Sequence, residues 1–260
     1  MRNELTLPSI QVKDLMVAYD GNIAIHDIDF QLHPGTISAL IGPNGGGKST
    51  LFKAIMGFII PTQGDVQIEA MPVRRAQKKN LIAYVPQSDE IDWNFPVNVE
   101  EVAMMGRYGY MNFLRKPSAE DRQVIDESLE RVQMTAFRHR QIGALSGGQR
   151  KRAFLARALA QGGRIMLLDE PFTGVDATTE QAIISLLLDL RQQGSTILVS
   201  THDLSSIPHF CDRVIMINRM LYAHGHTEEV FTQDNITLTF GGILMGLEFN
   251  QSQVLFPGVS

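Results

Sequence analysis

Along most of the chain, short unbroken apolar runs alternate with segments of helical period. Residues 36–41, 81–85, 165–168, 195–200 and 214–217 are rich in Ile, Leu and Val and too short for helices, so they predict buried strands. Helical character begins at 51–56, just after a glycine-rich stretch that follows the first of these runs. Gly162, Gly163 and Gly194 stand directly before two of the strands, where helix ends are expected. The strand–helix–strand rhythm predicts an α/β core built on a parallel sheet.

The first 35 residues are patterned differently. Segments 10–15, 15–19 and 28–32 are short, with turn residues Asp20, Gly21 and Asn22, then Pro34 and Gly35, between or after them. They predict an antiparallel β region, which 66–69 joins. Between residues 98 and 141 the period becomes helical. Ser118 stands in a cap position, Asp121 three residues later can reach back to it, and Val124, Ile125, Leu129 and Val132 recur at helical spacing to about 134. This reads as a helical subdomain, 98–160, inserted into the α/β core. Another helix starts at Asp176, its cap, and ends before Gly194, with Ile183, Ile184, Leu187, Leu188 and Leu190 as core positions. The segment 227–260 has the least pattern.

Composition narrows the class. The chain has 260 residues, 44% hydrophobic and 20% charged, enough for one large domain or two small ones and too apolar for disorder. Cys211 is the lone cysteine, which excludes a disulfide scaffold. No apolar run approaches the roughly 20 residues of a membrane span, and residues 1–15 lack the apolar stretch of a secretory signal. The net charge of −5, from 23 basic and 28 acidic residues, argues against a nucleic-acid coat. A soluble, cytoplasmic globular chain is expected.

Two segments carry chemistry. Gly42, Pro43, Asn44, Gly45, Gly46, Gly47, Lys48, Ser49 and Thr50 match the phosphate-loop pattern G-x-x-x-x-G-K-[ST] between a predicted strand and a predicted helix. Residues with little side chain let backbone N–H groups curl around a phosphate, and the helix N-terminus adds a positive dipole end. Lys48 supplies a cation for the β- and γ-phosphates, and the Ser49 hydroxyl is a Mg²⁺ ligand. The second segment is the strand 165–168, which ends in Asp169 and Glu170. In open α/β sheets ligands bind at that strand end. Asp169 is expected to hold Mg²⁺ through water, and Glu170 to polarise the attacking water as general base.

A third motif brings a family into view. Leu145, Ser146, Gly147, Gly148 and Gln149 precede a basic stretch and lie upstream of Asp169. This run resembles the signature of ATP-binding cassette (ABC) ATPases. The other landmarks follow in order: Gln87 resembles the Q-loop glutamine, Asp176 the D-loop aspartate, His202 the switch histidine and Tyr19 the aromatic under adenine. The resemblance covers about residues 8–225, leaving 226–260 as a tail. It implies a P-loop NTPase fold with ATP and Mg²⁺ as cofactors. Glu170, His202 and Gln87 would be catalytic, and Ser49, Gln87 and Asp169 would hold the metal. Ser146 to Gln149 of one subunit would face the nucleotide of another, so a homodimer is implied. Gly46 stands where many relatives have alanine, which should loosen the loop slightly.

Segments 92–97, 101–109 and 172–180 resemble the ATPase subunits of bacterial manganese, iron and zinc importers. Such a subunit works at the cytoplasmic face of the inner membrane with integral permease subunits, and indirectly with an extracytoplasmic metal-binding protein; no nucleic-acid partner is implied. A soluble cluster-assembly ATPase is the competing reading. Trp93, Phe95, Met104 and Met105 suit either a permease-docking groove or internal packing. His224 and His226 read as a solvated turn rather than a metal site, and Arg150, Lys151 and Arg152 as a helix face.

Overall fold

The computed structural model describes residues 7–87, 92–93, 95–111, 113 and 115–241. Strands β1 (Ile10–Tyr19) and β2 (Asn22–Leu32) form a hairpin closed by Asp20 and Gly21, with Tyr19 paired to Asn22. The two segments expected to meet at Leu15 are one strand. Its register shifts after Val12, where Asp14 adopts φ 45°, so the alternation restarts without breaking the strand. The chain then enters β3 (Ile37–Ile41), runs through the glycine-rich loop and starts α1 (Lys48–Ile55). Strands β4 (Gln63–Ile68) and β5 (Met71–Pro72) return to the first sheet, whose antiparallel order is β2-β1-β4-β5.

After α2 (Val73–Lys78) and β6 (Ile82–Val85) comes the helical layer: α3 (Val99–Met105), α4 (Ala119–Arg131) and α5 (Gly147–Gln161). Ser118 and Asp121 form the expected reciprocal cap on α4, each side chain bonding the other residue's backbone amide. The core resumes with β7 (Ile165–Asp169), α6 (Ala177–Gln192), β8 (Thr196–Ser200), α7 (Ile207–Phe210), β9 (Arg213–Asn218) and β10 (Met220–His226). The second sheet has the order β10-β9-β3-β8-β7-β6, parallel except for edge strand β10. Two short helices in the weakly patterned tail, α8 (Thr227–Val230) and α9 (Gln233–Phe240), pack back on this edge through buried Thr227 on the first and Ile236 and Thr239 on the second.

The parallel strands are apolar throughout because both faces are covered. On β7, Met166 and Leu168 face the core shared with α3–α6, while Ile165 and Leu167 face the core shared with α1 and the antiparallel sheet. The same alternation holds on β8, with Ile197 and Val199 on one side and Leu198 on the other. The α1 helix is thus clamped between two sheets, and the loop before it stands at the carboxyl end of β3.

His224 and His226 lie on β10 rather than in a turn, both exposed on one face of an edge strand, with His226 beside Arg213. The expected basic face of α5 is also divided. Three consecutive residues are spread over about 200° of a helix, and Lys151 is buried while Arg150 stacks over Trp93.

Candidate active site

Four parallel strands deliver the site from their carboxyl ends: β3 leads to the loop 42–47, β6 to Gln87, β7 to Glu170 and β8 to His202. The loop is shaped by close approach. A Cβ on residue 42 would lie 1.9 Å from the Ile217 carbonyl oxygen, so only glycine fits there. Gly47, the residue before α1, has φ 94°, and a Cβ there would strike the Ile25 side chain. Lys48 folds back over the loop, its ammonium donating to the carbonyls of Gly42 (2.8 Å) and Pro43 (3.1 Å). Burial pulls this ammonium below the ordinary lysine value, and the carboxylates of Glu170 and Asp169 offset part of that.

A cleft of about 520 Å³ opens over the loop, lined by Asn44 through Thr50 together with Ile23, Ala24, Gln87, Glu170 and Arg219. Glu170 closes one end. Its side chain is 11% exposed and is held on both oxygens. Oε1 lies 2.5 Å from His202 Nε2, and Oε2 accepts from Gln87 Nε2 (3.2 Å) and Thr173 Oγ1 (3.3 Å). Its backbone sits at φ 50°, uncommon for a non-glycine residue, and is held by bonds at both its amide and its carbonyl. The Glu170 amide donates to Ser200 Oγ at 2.9 Å, and its carbonyl accepts from Lys151 Nζ at 2.8 Å. Ser200 Oγ in turn donates to Asp169 Oδ1 at 2.5 Å, fixing a carboxylate that is only 3% exposed.

Not every expected residue lines this cleft. Tyr19 ends β1, 44% exposed, and does not line it. Gly42, Pro43 and His202 do not line it either but are bonded to Lys48 or Glu170, and Asp169 is held beside Glu170 through Ser200, whereas Ser146, Gly147, Gly148, Gln149 and Asp176 stand apart from it. Ser146 caps α5 in a reciprocal pair with Gln149, its Oγ accepting from the Gln149 amide while Gln149 Oε1 accepts from the Ser146 amide. Asp176 caps α6, and the Thr179 amide and hydroxyl hold its carboxyl below the usual carboxylate range. A complete phosphate cradle and a second set of helix-start donors therefore occupy different places on one chain.

These features fix the family. A model of the ABC transporter family matches residues 25–173. The chain belongs to the ABC transporter family. Among similar members is the manganese transport system ATP-binding protein MntA of Synechocystis sp., 59% identical over 96% of each chain. The chelated iron transport system membrane protein YfeB of Yersinia pestis is 59% identical over 91% of this chain and 80% of its own. The dimeric post-hydrolysis structure of the ATP-binding cassette MJ0796, bound to ADP and Pi, superposes with a TM-score of 0.73 at 26% identity, covering 84% of this chain and 98% of that one.

Sequence reasoning missed three site residues. Ser200 was legible only as a polar residue ending an apolar strand, Lys151 was hidden in a basic run, and Arg219 had no motif. Trp93 and Met104, expected either to dock a partner or to pack, pack internally. Trp93 meets Phe154 edge-on at 5.6 Å and Met104 lies against the core, while Phe95 stays exposed. Among the described residues no helix is long and apolar enough to cross a membrane.

Proposed function

We propose that this chain is the ATP-hydrolysing subunit of an importer for divalent metal ions, manganese or iron foremost. The observation that carries the catalytic half is the Glu170 carboxylate, fixed by Gln87 and His202 at the end of the phosphate-loop cleft. The cargo rests on the relatives named for manganese and iron transport, at 59% identity.

The chain's own groups divide the work. Amides of residues 45–50 and the α1 N-terminus bind the phosphates of ATP, and Lys48 moves from the loop carbonyls onto them. Glu170 accepts a proton from the attacking water, and His202 orients the carboxylate and faces the γ-phosphate. The donor set fits Mg²⁺: the Ser49 hydroxyl, the Gln87 amide oxygen and the Asp169 carboxylate are hard oxygen ligands. With Gln87 Nε2 committed to Glu170, its amide oxygen is the atom left for the metal. Bound there, Mg²⁺ neutralises charge on the phosphates. Tyr19 stacks on adenine.

Ser146, Gly148 and Asp176 do not line their own chain's cleft, and the side chains of Ser146 and Asp176 bond only within their helix caps; by the resemblance to the family's signature and D-loop motifs we assign all three to the nucleotide of a second copy in a two-fold homodimer. Opening and closing of that dimer drives integral permease subunits at the cytoplasmic face of the membrane, and cargo arrives from an extracytoplasmic metal-binding protein. The test is uptake of manganese, iron and zinc by cells carrying Glu170→Gln. Loss of manganese or iron uptake is expected. Unchanged uptake of all three, with no polytopic membrane protein co-purifying, would favour the cluster-assembly reading.

A further inference from the structure

Arg219 lines the cleft, and the reaction just described makes no use of it. It closes the turn between β9 and β10 with its backbone committed on both sides. The Arg219 amide donates to the Gly46 carbonyl at 2.9 Å, and the Arg219 carbonyl accepts from the His26 amide at 2.8 Å. The turn is therefore pinned both to the middle of the phosphate loop and to β2. Gly46 permits this closeness: a Cβ at residue 46 would stand 2.9 Å from the Pro43 carbonyl oxygen and 3.2 Å from that of Ile217.

Arg219 holds φ 62°, the left-handed region in which glycine is the unstrained choice. Glycine could make both backbone bonds; what it lacks is the side chain. That side chain is exposed, and its guanidinium has no hydrogen-bond or ion-pair partner among the described residues. Lys48 is the other cation lining the cleft, and Glu170 is its acidic residue. A strongly anionic polyphosphate seated on the loop thus meets one buried ammonium from below and one unpaired guanidinium from the β9–β10 turn. Arginine's planar fork matches phosphate oxygens in pairs.

We propose that Arg219 binds the polyphosphate of the nucleotide, which makes the β9–β10 turn part of the nucleotide site. This rests on reading the cleft as that site. The turn is anchored at Gly46, in the middle of the loop, while Glu170 lies at the hydrolytic end, so Arg219 acts on affinity more than on turnover.

The experiment measures binding of fluorescent ATP and ADP analogues to the full chain, with ATPase kinetics in parallel. Arg219→Ala should weaken both nucleotides about tenfold, in line with loss of a charge-assisted bond, with KM rising more than kcat falls. Arg219→Gly relieves the backbone strain, keeps both backbone bonds and should lose as much affinity. Arg219→Lys, which keeps the charge but not the fork, should recover part of it, and raising the salt should narrow the gap between wild type and Arg219→Ala. Wild-type affinity in Arg219→Ala, or a lysine variant as weak as the alanine one, overturns the proposal. Wild-type affinity in Lys48→Ala instead overturns the reading of the cleft itself.

Discussion

Lys151 Nζ donates to the Glu170 carbonyl at 2.8 Å, tying the helix that Ser146 caps to the strand end that carries the Glu170 carboxylate. The far end of the same helix is fastened to β6, the strand leading to Gln87. Arg157 Nη2 donates to the Tyr84 carbonyl at 2.7 Å and Gln161 Nε2 to that of Ile82 at 2.6 Å. Helix α5 is thereby hydrogen-bonded both to Glu170 and to the strand that leads to Gln87.

Removing that tie should uncouple position from binding. Lys151→Met removes a charge-assisted hydrogen bond, at a cost of about 1.5–3 kcal/mol, and leaves the Glu170 carbonyl with the longer bond from the Thr173 amide at 3.4 Å. ATPase activity should fall roughly tenfold or more, since misplacing a catalytic group by about 1 Å can cost some 10²-fold, while nucleotide affinity changes much less. Steady-state kinetics beside equilibrium nucleotide binding checks this.

Glu170→Gln should retain ATP and lose turnover. General-base catalysis contributes about 10²–10⁴-fold, and a loss in that range is expected. The variant should accumulate as an ATP-bound dimer, visible by size-exclusion chromatography with light scattering. Normal hydrolysis would remove Glu170 from the role of base.

A methyl group at residue 46 should push the β9–β10 turn away from the loop, because it would meet the Pro43 and Ile217 carbonyl oxygens at 2.9 and 3.2 Å. Gly46→Ala is expected to raise KM for ATP a few-fold. Gly42→Ala, whose Cβ would lie 1.9 Å from the Ile217 carbonyl oxygen, should abolish nucleotide binding. Calorimetric titration with ATP separates the two.

Asp121 gives the helical layer an acid-sensitive anchor. Bonds from Ser118 and Arg107 lower its carboxyl to about 2, against 3.8 for an ordinary aspartate. A carboxyl whose pKa is lower in the folded chain stabilises it above the unfolded value and stops doing so as pH falls through the folded one. Asp121→Asn should therefore melt several degrees below wild type at pH 7, consistent with a cap worth about 1 kcal/mol. The gap should close between about pH 4 and 2. Thermal melts across that range test it.

Legibility in the sequence followed how local each signal was. The apolar strands, the loop 42–50, the Ser118–Asp121 cap and the Asp176 cap were readable because each depends on neighbours in sequence. Contacts made across the fold were not. Ser200 reaches Asp169 only because β7 and β8 pair in register, with Asp169 opposite Ser200. Arg219 reaches Gly46 only because β9 lies beside β3. Lys151 looked like a surface charge because its partner is a backbone carbonyl, which no side-chain pattern reveals. Short helices α8 and α9 were invisible for a related reason: their stability comes from packing on β9 and β10 rather than from period.

The most direct measurement of whether two chains build each active site mixes two inactive variants, Lys48→Ala and Ser146→Ala. Each alone should hydrolyse almost no ATP. In the mixed dimer, one site pairs an intact Lys48 loop with an intact Ser146 helix start, so ATPase activity should rise well above the sum of the separate variants. A mixture no more active than that sum, or full activity in a chain that stays monomeric throughout turnover, would contradict a shared site.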